Sequence, residues 1–63
     1  MEEKEKFQFD SLCEKIIGTA EVFMYNMAQN RDKGNKAAGL RARKASLELE
    51  KLFKEYRKLS VKA

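Results

Sequence analysis

Residues 34–62 decide the fold of this chain, and they read GNKAAGLRARKASLELEKLFKEYRKLSVK. Placing each residue about 100° further round a helix axis brings the apolar side chains to one side, within an arc of about 120°. These side chains are Ala38, Ala42, Ala45, Leu49, Leu52, Phe53, Tyr56 and Leu59. From Ala45 to Leu59 the seam residues alternate in spacing between four and three, which is typical of two helices packed together. We therefore predict an amphipathic helix over about residues 36–60.

A short polar break separates this helix from the first half of the chain. Residues 30–35, Asn-Arg-Asp-Lys-Gly-Asn, contain a Gly-Asn turn dipeptide, and Asn35 suits the position that caps a helix N-terminus. This break predicts a first helix over about residues 5–30 and a turn over about residues 31–35. Because the connection is short, the two helices are expected to lie antiparallel as a hairpin.

The first helix carries a broader apolar surface than one partner helix covers. Its arc is about 160° wide, whereas packing on a single partner needs about 100°. The arc contains Phe9, Leu12, Cys13, Ile16, Ile17, Ala20, Phe23, Met24, Met27 and Ala28. A chain of 63 residues also buries little surface, and one cysteine with no histidine excludes an internal disulfide and a zinc site. We therefore predict an all-α fold in which a single domain, residues 1–63, forms an antiparallel two-helix hairpin and dimerises into a four-helix bundle, without metal or cofactor.

Positive charge is concentrated in the second half of the chain. Residues 1–30 carry three lysines against six acidic residues, whereas residues 31–63 carry eleven lysines and arginines against four acidic residues. On the second helix the cations form a basic stripe opposite the seam, about 37 Å long and close to one turn of duplex DNA. The basic stripe consists of Lys36, Arg43, Lys44, Lys51, Lys54, Arg57, Lys58 and Lys62. Arg41 lies near the edge of the seam, and Arg31 and Lys33 extend the positive region through the turn.

The residues alone leave two interpretations of the basic stripe open. Charged side chains cover the exposed helix faces of most proteins, so the stripe is compatible with an ordinary solvated surface. A row of eight cations interrupted only by Glu50 is equally compatible with the binding of a polyanion. Leu40, Leu47 and Val61 lie on the same side, either as scattered surface residues or as a second contact surface.

The sequence argues against catalysis and against membrane insertion. Cys13 lies on an apolar face without a histidine to act as its base, so we assign it to packing and expect neither an enzyme nor a small-molecule substrate. Tyr56 falls in the seam and is also assigned to packing. No segment approaches the roughly 20 apolar residues of a membrane-spanning helix, and charged residues follow Met1 directly, where a secretory signal would be apolar. We therefore expect a soluble, cytoplasmic protein.

The stretch from Gly34 to Lys58 resembles the characteristic segment of the bacterial linker-histone-like family, the chlamydial-type histone-like proteins and their shorter relatives. The resemblance rests on Gly-Asn-Lys-Ala-Ala at residues 34–38, on Arg-x-Arg-Lys-x-Ser at 41–46, and on Leu-Glu-Lys followed by Tyr-Arg-Lys. It covers about residues 33–62, while residues 1–30 match only as a generic amphipathic helix. The long members of the family also carry a Lys/Ala-rich tail, for which residues 1–63 have no counterpart.

This resemblance implies a nucleoid-associated protein that binds and condenses double-stranded DNA without reading its sequence, and RNA stays open as a second ligand. On the family pattern the phosphate-facing residues are Lys36, Arg41, Arg43, Lys44, Lys51, Lys54, Arg57 and Lys58, and Arg31 and Lys33 are added from the turn. Without the tail, DNA binding is expected to be weak, to require the two stripes of a dimer, or to be lost while the scaffold remains. The rival hypothesis is a dimeric interaction scaffold whose basic face docks an acidic protein.

Overall fold

The computed structural model describes residues 2–62, which form two long α-helices joined by a two-residue turn and contain no strand. Helix α1 spans Glu3–Lys33, and helix α2 spans Lys36–Ser60. The two helices pack side by side as a hairpin that measures 46 × 15 × 12 Å. Contacts between Lys62 and Glu5 at one end and between Arg41 and Asn26 near the other show that the helices are antiparallel. The predicted all-α hairpin is therefore confirmed.

Helix α1 runs further toward the turn than the sequence predicted. It ends only where Gly34 adopts a left-handed backbone conformation, with φ at 62°, and donates its N–H to the carbonyl of Gln29. Glycine reaches this conformation without the steric penalty that a side chain would bring. Arg31 and Lys33 consequently lie in the last turn of α1, so their predicted place in a loop was wrong. Asn35 caps α2 as predicted, because its side-chain oxygen accepts the N–H of Ala38 at 3.1 Å.

The core is a thin layer along the seam, and α2 supplies most of it. The buried apolar residues are Leu12, Ala38, Ala42, Ala45, Leu49 and Leu52. Among residues 2–62 no large side chain is fully buried, and most of the apolar arc of α1 is half-buried or exposed. One α2 helix covers only part of that arc because its own early turns carry alanine. Phe53, which the sequence placed in the seam, lies beside it and is 44% exposed.

The helices contact each other through large side chains at the open end of the hairpin and through small ones at the turn. At the open end the ring of Phe9 stacks on the ring of Tyr56, with centroids 5.5 Å apart and planes inclined by 29°. At the turn the helices approach closely, since a Cβ atom on Gly39 would lie 2.6 Å from Nδ2 of Asn30. That amide nitrogen donates to the carbonyl of Asn35 at 3.0 Å and ties α1 to the start of α2. Tyr56 thus contacts the other helix as predicted, but it is 41% exposed and is not part of the buried seam.

Candidate nucleic-acid interface

The basic stripe lies on the solvent side of α2, and all of its side chains are exposed. Three ion pairs occur among residues 2–62, and of the stripe only Lys62 takes part in one. The other seven cations therefore present their charge to solvent without a neighbouring carboxylate within ion-pair distance in the described part of the chain. Since the residues follow a continuous 25-residue helix, their charges form one extended row.

The two cations at the end of α1 differ in how much charge they offer. The guanidinium of Arg31 donates to both carboxylate oxygens of Asp32, at 2.6 and 3.1 Å. This hydrogen bonding lowers the pKa of Asp32 and raises the pKa of Arg31 from their ordinary values. Asp32 thus offsets the positive charge of Arg31, whereas Lys33 has no such partner within the described chain. Of the two, Lys33 is the better candidate for contact with an anion.

Two cations contact α1 near opposite ends of the hairpin: Arg41 of α2, and Lys62, which lies two residues beyond the end of α2. Arg41, Glu48 and Glu55 follow each other at intervals of seven residues and so lie along the same edge of α2, and Lys62 follows seven residues later. Lys62 pairs with Glu5 at 2.9 Å, and this hydrogen bond lowers the pKa of that carboxyl from its ordinary value. Arg41 donates from Nε to Oδ1 of Asn26 at 2.8 Å. Hydrogen bonds therefore join this row of residues to α1 near both ends of the hairpin.

Asn26 is the buried polar residue at this site, and it was not among the residues predicted from the sequence. Its side chain is 5% exposed and uses both ends of its amide, because Nδ2 donates to the carbonyl of Val22 at 2.9 Å. The spacing of residues along α1, rather than their polarity, would have predicted that Asn26 lies in the seam. Ile16, Thr19, Phe23 and Asn26 alternate at three and four residues, as the seam of α2 does, although two of them are polar.

Grooves lie between the helices on both sides of the hairpin, and two of them bear on the site. The apolar groove has a volume of about 410 Å³ and is lined by Cys13, Ile16, Ile17, Phe53 and Tyr56. The charged groove has a volume of about 580 Å³ and is lined by Lys15, Gly18, Thr19, Val22, Arg41, Lys44, Ala45 and Glu48. Arg41 and Lys44, two predicted site residues, thus meet a cation of α1 in the second groove. The remaining predicted residues of α2 lie on its outer surface.

The structure also limits other kinds of site. No cluster of cysteine and carboxylate side chains that would hold a metal ion occurs among residues 2–62. Over the same range, neither helix is long and apolar enough to cross a membrane. What the described surface offers is a charged face on α2 and two grooves of contrasting chemistry.

Comparison with known proteins identifies the family. The family model described as histone H1-like protein Hc1 matches residues 10–63, which is most of the chain. The chain belongs to this histone H1-like family. The match spans both helices, so the Hc1 assignment confirms the resemblance noted for residues 33–62 and extends it through most of α1. No curated protein and no solved structure matches the chain.

Proposed function

We propose that this protein is a nucleoid-associated protein that contacts the phosphates of double-stranded DNA through the basic stripe, without reading the base sequence. The observation that carries the proposal is a row of seven exposed cations without carboxylate partners, in a chain of a histone-like family. Exposed lysines and arginines bind phosphates with release of counterions, and such contacts carry no sequence information. The function requires no catalytic group.

The distribution of charge on the hairpin supports this orientation on DNA. The outward side of α1 carries exposed carboxylates, among them Glu14 and Glu21, which lie seven residues apart on one line of the helix. A duplex would be repelled by this side and attracted by the outward side of α2. We therefore place α2 against the phosphates and the outward side of α1, which carries these carboxylates, away from them.

We further propose that the protein acts as a homodimer that pairs through the apolar groove. Ile17 and Met24 are more than half exposed, and Phe53 and Tyr56 are almost half exposed on the same side. A thin core made largely of alanine and leucine gives one hairpin little buried apolar surface, so covering this groove would add to its stability. A second copy supplies a surface of the same length and chemistry, and it adds a second basic stripe.

The test is a titration of the protein with unrelated DNA duplexes over a series of salt concentrations, followed by fluorescence anisotropy. We expect log K to fall linearly with log salt, by about 0.9 for each phosphate contacted, and duplexes of different sequence to bind alike. Replacing Arg43, Lys51, Lys54 and Arg57 with glutamine should weaken binding and flatten that slope, with the helical circular dichroism unchanged.

A charge-matched control distinguishes the stripe from a general effect of net charge. The pair Lys51→Gln and Lys54→Gln removes two charges from α2, and the pair Lys4→Gln and Lys6→Gln removes two from α1. Only the first pair should flatten the salt dependence. Affinity that does not change with salt would contradict the proposal, as would a strong preference for one DNA sequence. Binding to an acidic polypeptide but not to DNA would instead favour an interaction scaffold.

A further inference from the structure

The buried amide of Asn26 is arranged to hold one arginine. An arginine N–H can only donate and a backbone carbonyl can only accept, so a single orientation of the amide satisfies both neighbours. In that orientation Oδ1 receives Nε of Arg41 and Nδ2 donates to Val22. No buried polar side chain in the described chain lacks a hydrogen-bond partner, and Asn26 is the one buried polar residue it contains. A leucine would fill the same place in the seam without needing any partner.

The bond at Nε leaves the outer end of the guanidinium available. Within residues 2–62 the two terminal nitrogens of Arg41 make no hydrogen bond and no ion pair. A guanidinium presents its donors in a planar fork, so fixing Nε also fixes the plane in which the remaining donors lie. Of the basic stripe, only Lys62 is bonded to another side chain in the described chain, and Lys62 lies beyond the end of α2. Arg41 is therefore the cation of α2 whose geometry is set before a ligand arrives.

Arg41 lines the charged groove together with further cations. The charged groove brings Lys15 of α1 together with Arg41 and Lys44 of α2, against one carboxylate, that of Glu48. Gly18 lines the same groove, and a Cβ atom placed on it would meet nothing within 4 Å. The groove thus has three cations from two helices and room beside them. Tetrahedral oxyanions such as the phosphate of a nucleic-acid backbone fit these donors.

We propose that Asn26 is a positioning residue that holds Arg41 so that Arg41, Lys15 and Lys44 together grip one backbone phosphate in the charged groove. The proposal rests on the DNA-binding function above and assigns to α1 a direct part in it. Lys15 becomes a contact residue, and Asn26 acts only through Arg41. Neither residue was among the site residues predicted from the sequence.

A double-mutant cycle in DNA affinity tests the coupling of Asn26 to Arg41. We expect Arg41→Gln to raise Kd roughly tenfold, the scale of one hydrogen bond to a charged group. Asn26→Leu keeps the seam filled and should raise Kd roughly two- to tenfold, since Arg41 must then be ordered on binding. In the Arg41→Gln background Asn26→Leu should have no further effect. Additive losses, or an unchanged Kd for Asn26→Leu alone, would overturn the proposal.

Two matched controls separate positioning from damage to the fold. Asn30 also joins the helices by a side-chain amide but contacts no cation, so Asn30→Ala should leave Kd unchanged where Asn26→Ala raises it. Lys15→Gln should lower the slope of log K against log salt by about 0.9, whereas Lys4→Gln should not. Equal effects from Asn30→Ala and Asn26→Ala, with equal thermal midpoints, would assign Asn26 a structural role alone.

The outcomes also distinguish this inference from the proposed function. If the unaltered protein binds DNA with a steep salt dependence but the cycle is additive, the phosphate grip is wrong and the basic stripe stands. If the unaltered protein shows no binding to any duplex, the proposed function and the grip are both wrong.

Discussion

The two grooves of the hairpin are bounded by the same two helices, yet they suit different ligands. On one side the positions next to the seam carry Cys13, Ile17 and Phe53, and on the other they carry Lys15 and Arg41. The seam between the grooves is common to both and is built largely from alanine and leucine. One short hairpin therefore presents two different surfaces, and the side chains that flank the seam set the chemistry of each. We have proposed a second copy of the chain as the occupant of the apolar groove and a backbone phosphate as the ligand of the charged groove.

The largest effect should come from placing one charge in either groove. Ile17 in the apolar groove and Val22 in the charged groove are exposed to similar extents, 54% and 51%. Ile17→Glu should bury a carboxylate in the dimer interface and reduce the mass seen by light scattering from twice 7.3 kDa to one chain. Val22→Glu should leave the mass unchanged. A monomeric unaltered protein, or dissociation by Val22→Glu, would remove the distinction between the grooves.

A second expectation concerns the accessibility of Cys13, the half-buried thiol of the apolar groove. If a second copy covers this groove, the rate at which an aromatic disulfide reagent modifies Cys13 should fall several-fold as the protein concentration rises through the dimer Kd. The matched variant carries Cys13→Ser together with Gly18→Cys, which moves the thiol to the charged groove. Its rate should not depend on protein concentration. A concentration-independent rate for Cys13 would place the dimer contact elsewhere.

The seam of α2 and its cap could be predicted because their signals are local. The alternating spacing from Ala45 to Leu59 states which side chains face the partner helix, and Asn35 needs only Ala38 to complete its cap. Neither depends on where the other helix lies. The sequence predicts the end of α1 three residues too early because residues 31–33 are polar, whereas the helix continues until the left-handed conformation of Gly34 ends it.

Hydropathy could not predict which apolar residues of α1 lie at the seam and which line the open groove. Ile16 at the seam and Ile17 on the open groove are both apolar, and a helical wheel assigns them to one arc. The width of the arc predicted that one partner helix would not cover it, but only the position of α2 shows which residues the contact leaves out. Asn26 was not predicted because it is polar, and a polar residue on a helix is expected to face solvent unless its hydrogen-bond partner is known. That partner, Arg41, is fifteen residues away and on the other helix.

A smaller effect should distinguish the two glycines that lie beside the seam. Gly18→Ala in the charged groove meets open space and should stabilise the fold by about 1 kcal/mol through helix propensity. Gly39→Ala has the same propensity gain, but its Cβ would lie 2.6 Å from Nδ2 of Asn30. Asn30 would have to turn away and lose its bond to Asn35, which offsets the gain by about 1 kcal/mol. Urea unfolding should therefore show a higher midpoint for Gly18→Ala and almost no shift for Gly39→Ala.

The smallest expected effect comes from removing the ion pair between Lys62 and Glu5 at the open end of the hairpin. The hydrogen bond from Lys62 lowers the pKa of Glu5 below its ordinary value of 4.5. A carboxyl with a lowered pKa in the folded state stabilises the fold above its unfolded pKa and loses that contribution as the pH falls through the folded pKa. The thermal midpoint of Lys62→Gln should therefore lie slightly below that of the unaltered protein at pH 7. The gap should narrow once the pH falls below 4.5, and the second measurement is made at pH 3. Lys58→Gln, whose lysine pairs with no carboxylate in the described chain, should shift the midpoint by the same amount at both pH values. If the difference in thermal midpoint for Lys62→Gln persists at pH 3, Lys62 acts by packing rather than by pairing with Glu5. Arg41 would then be the one cation of the row from Arg41 to Lys62 whose polar bond joins it to α1 in the described chain.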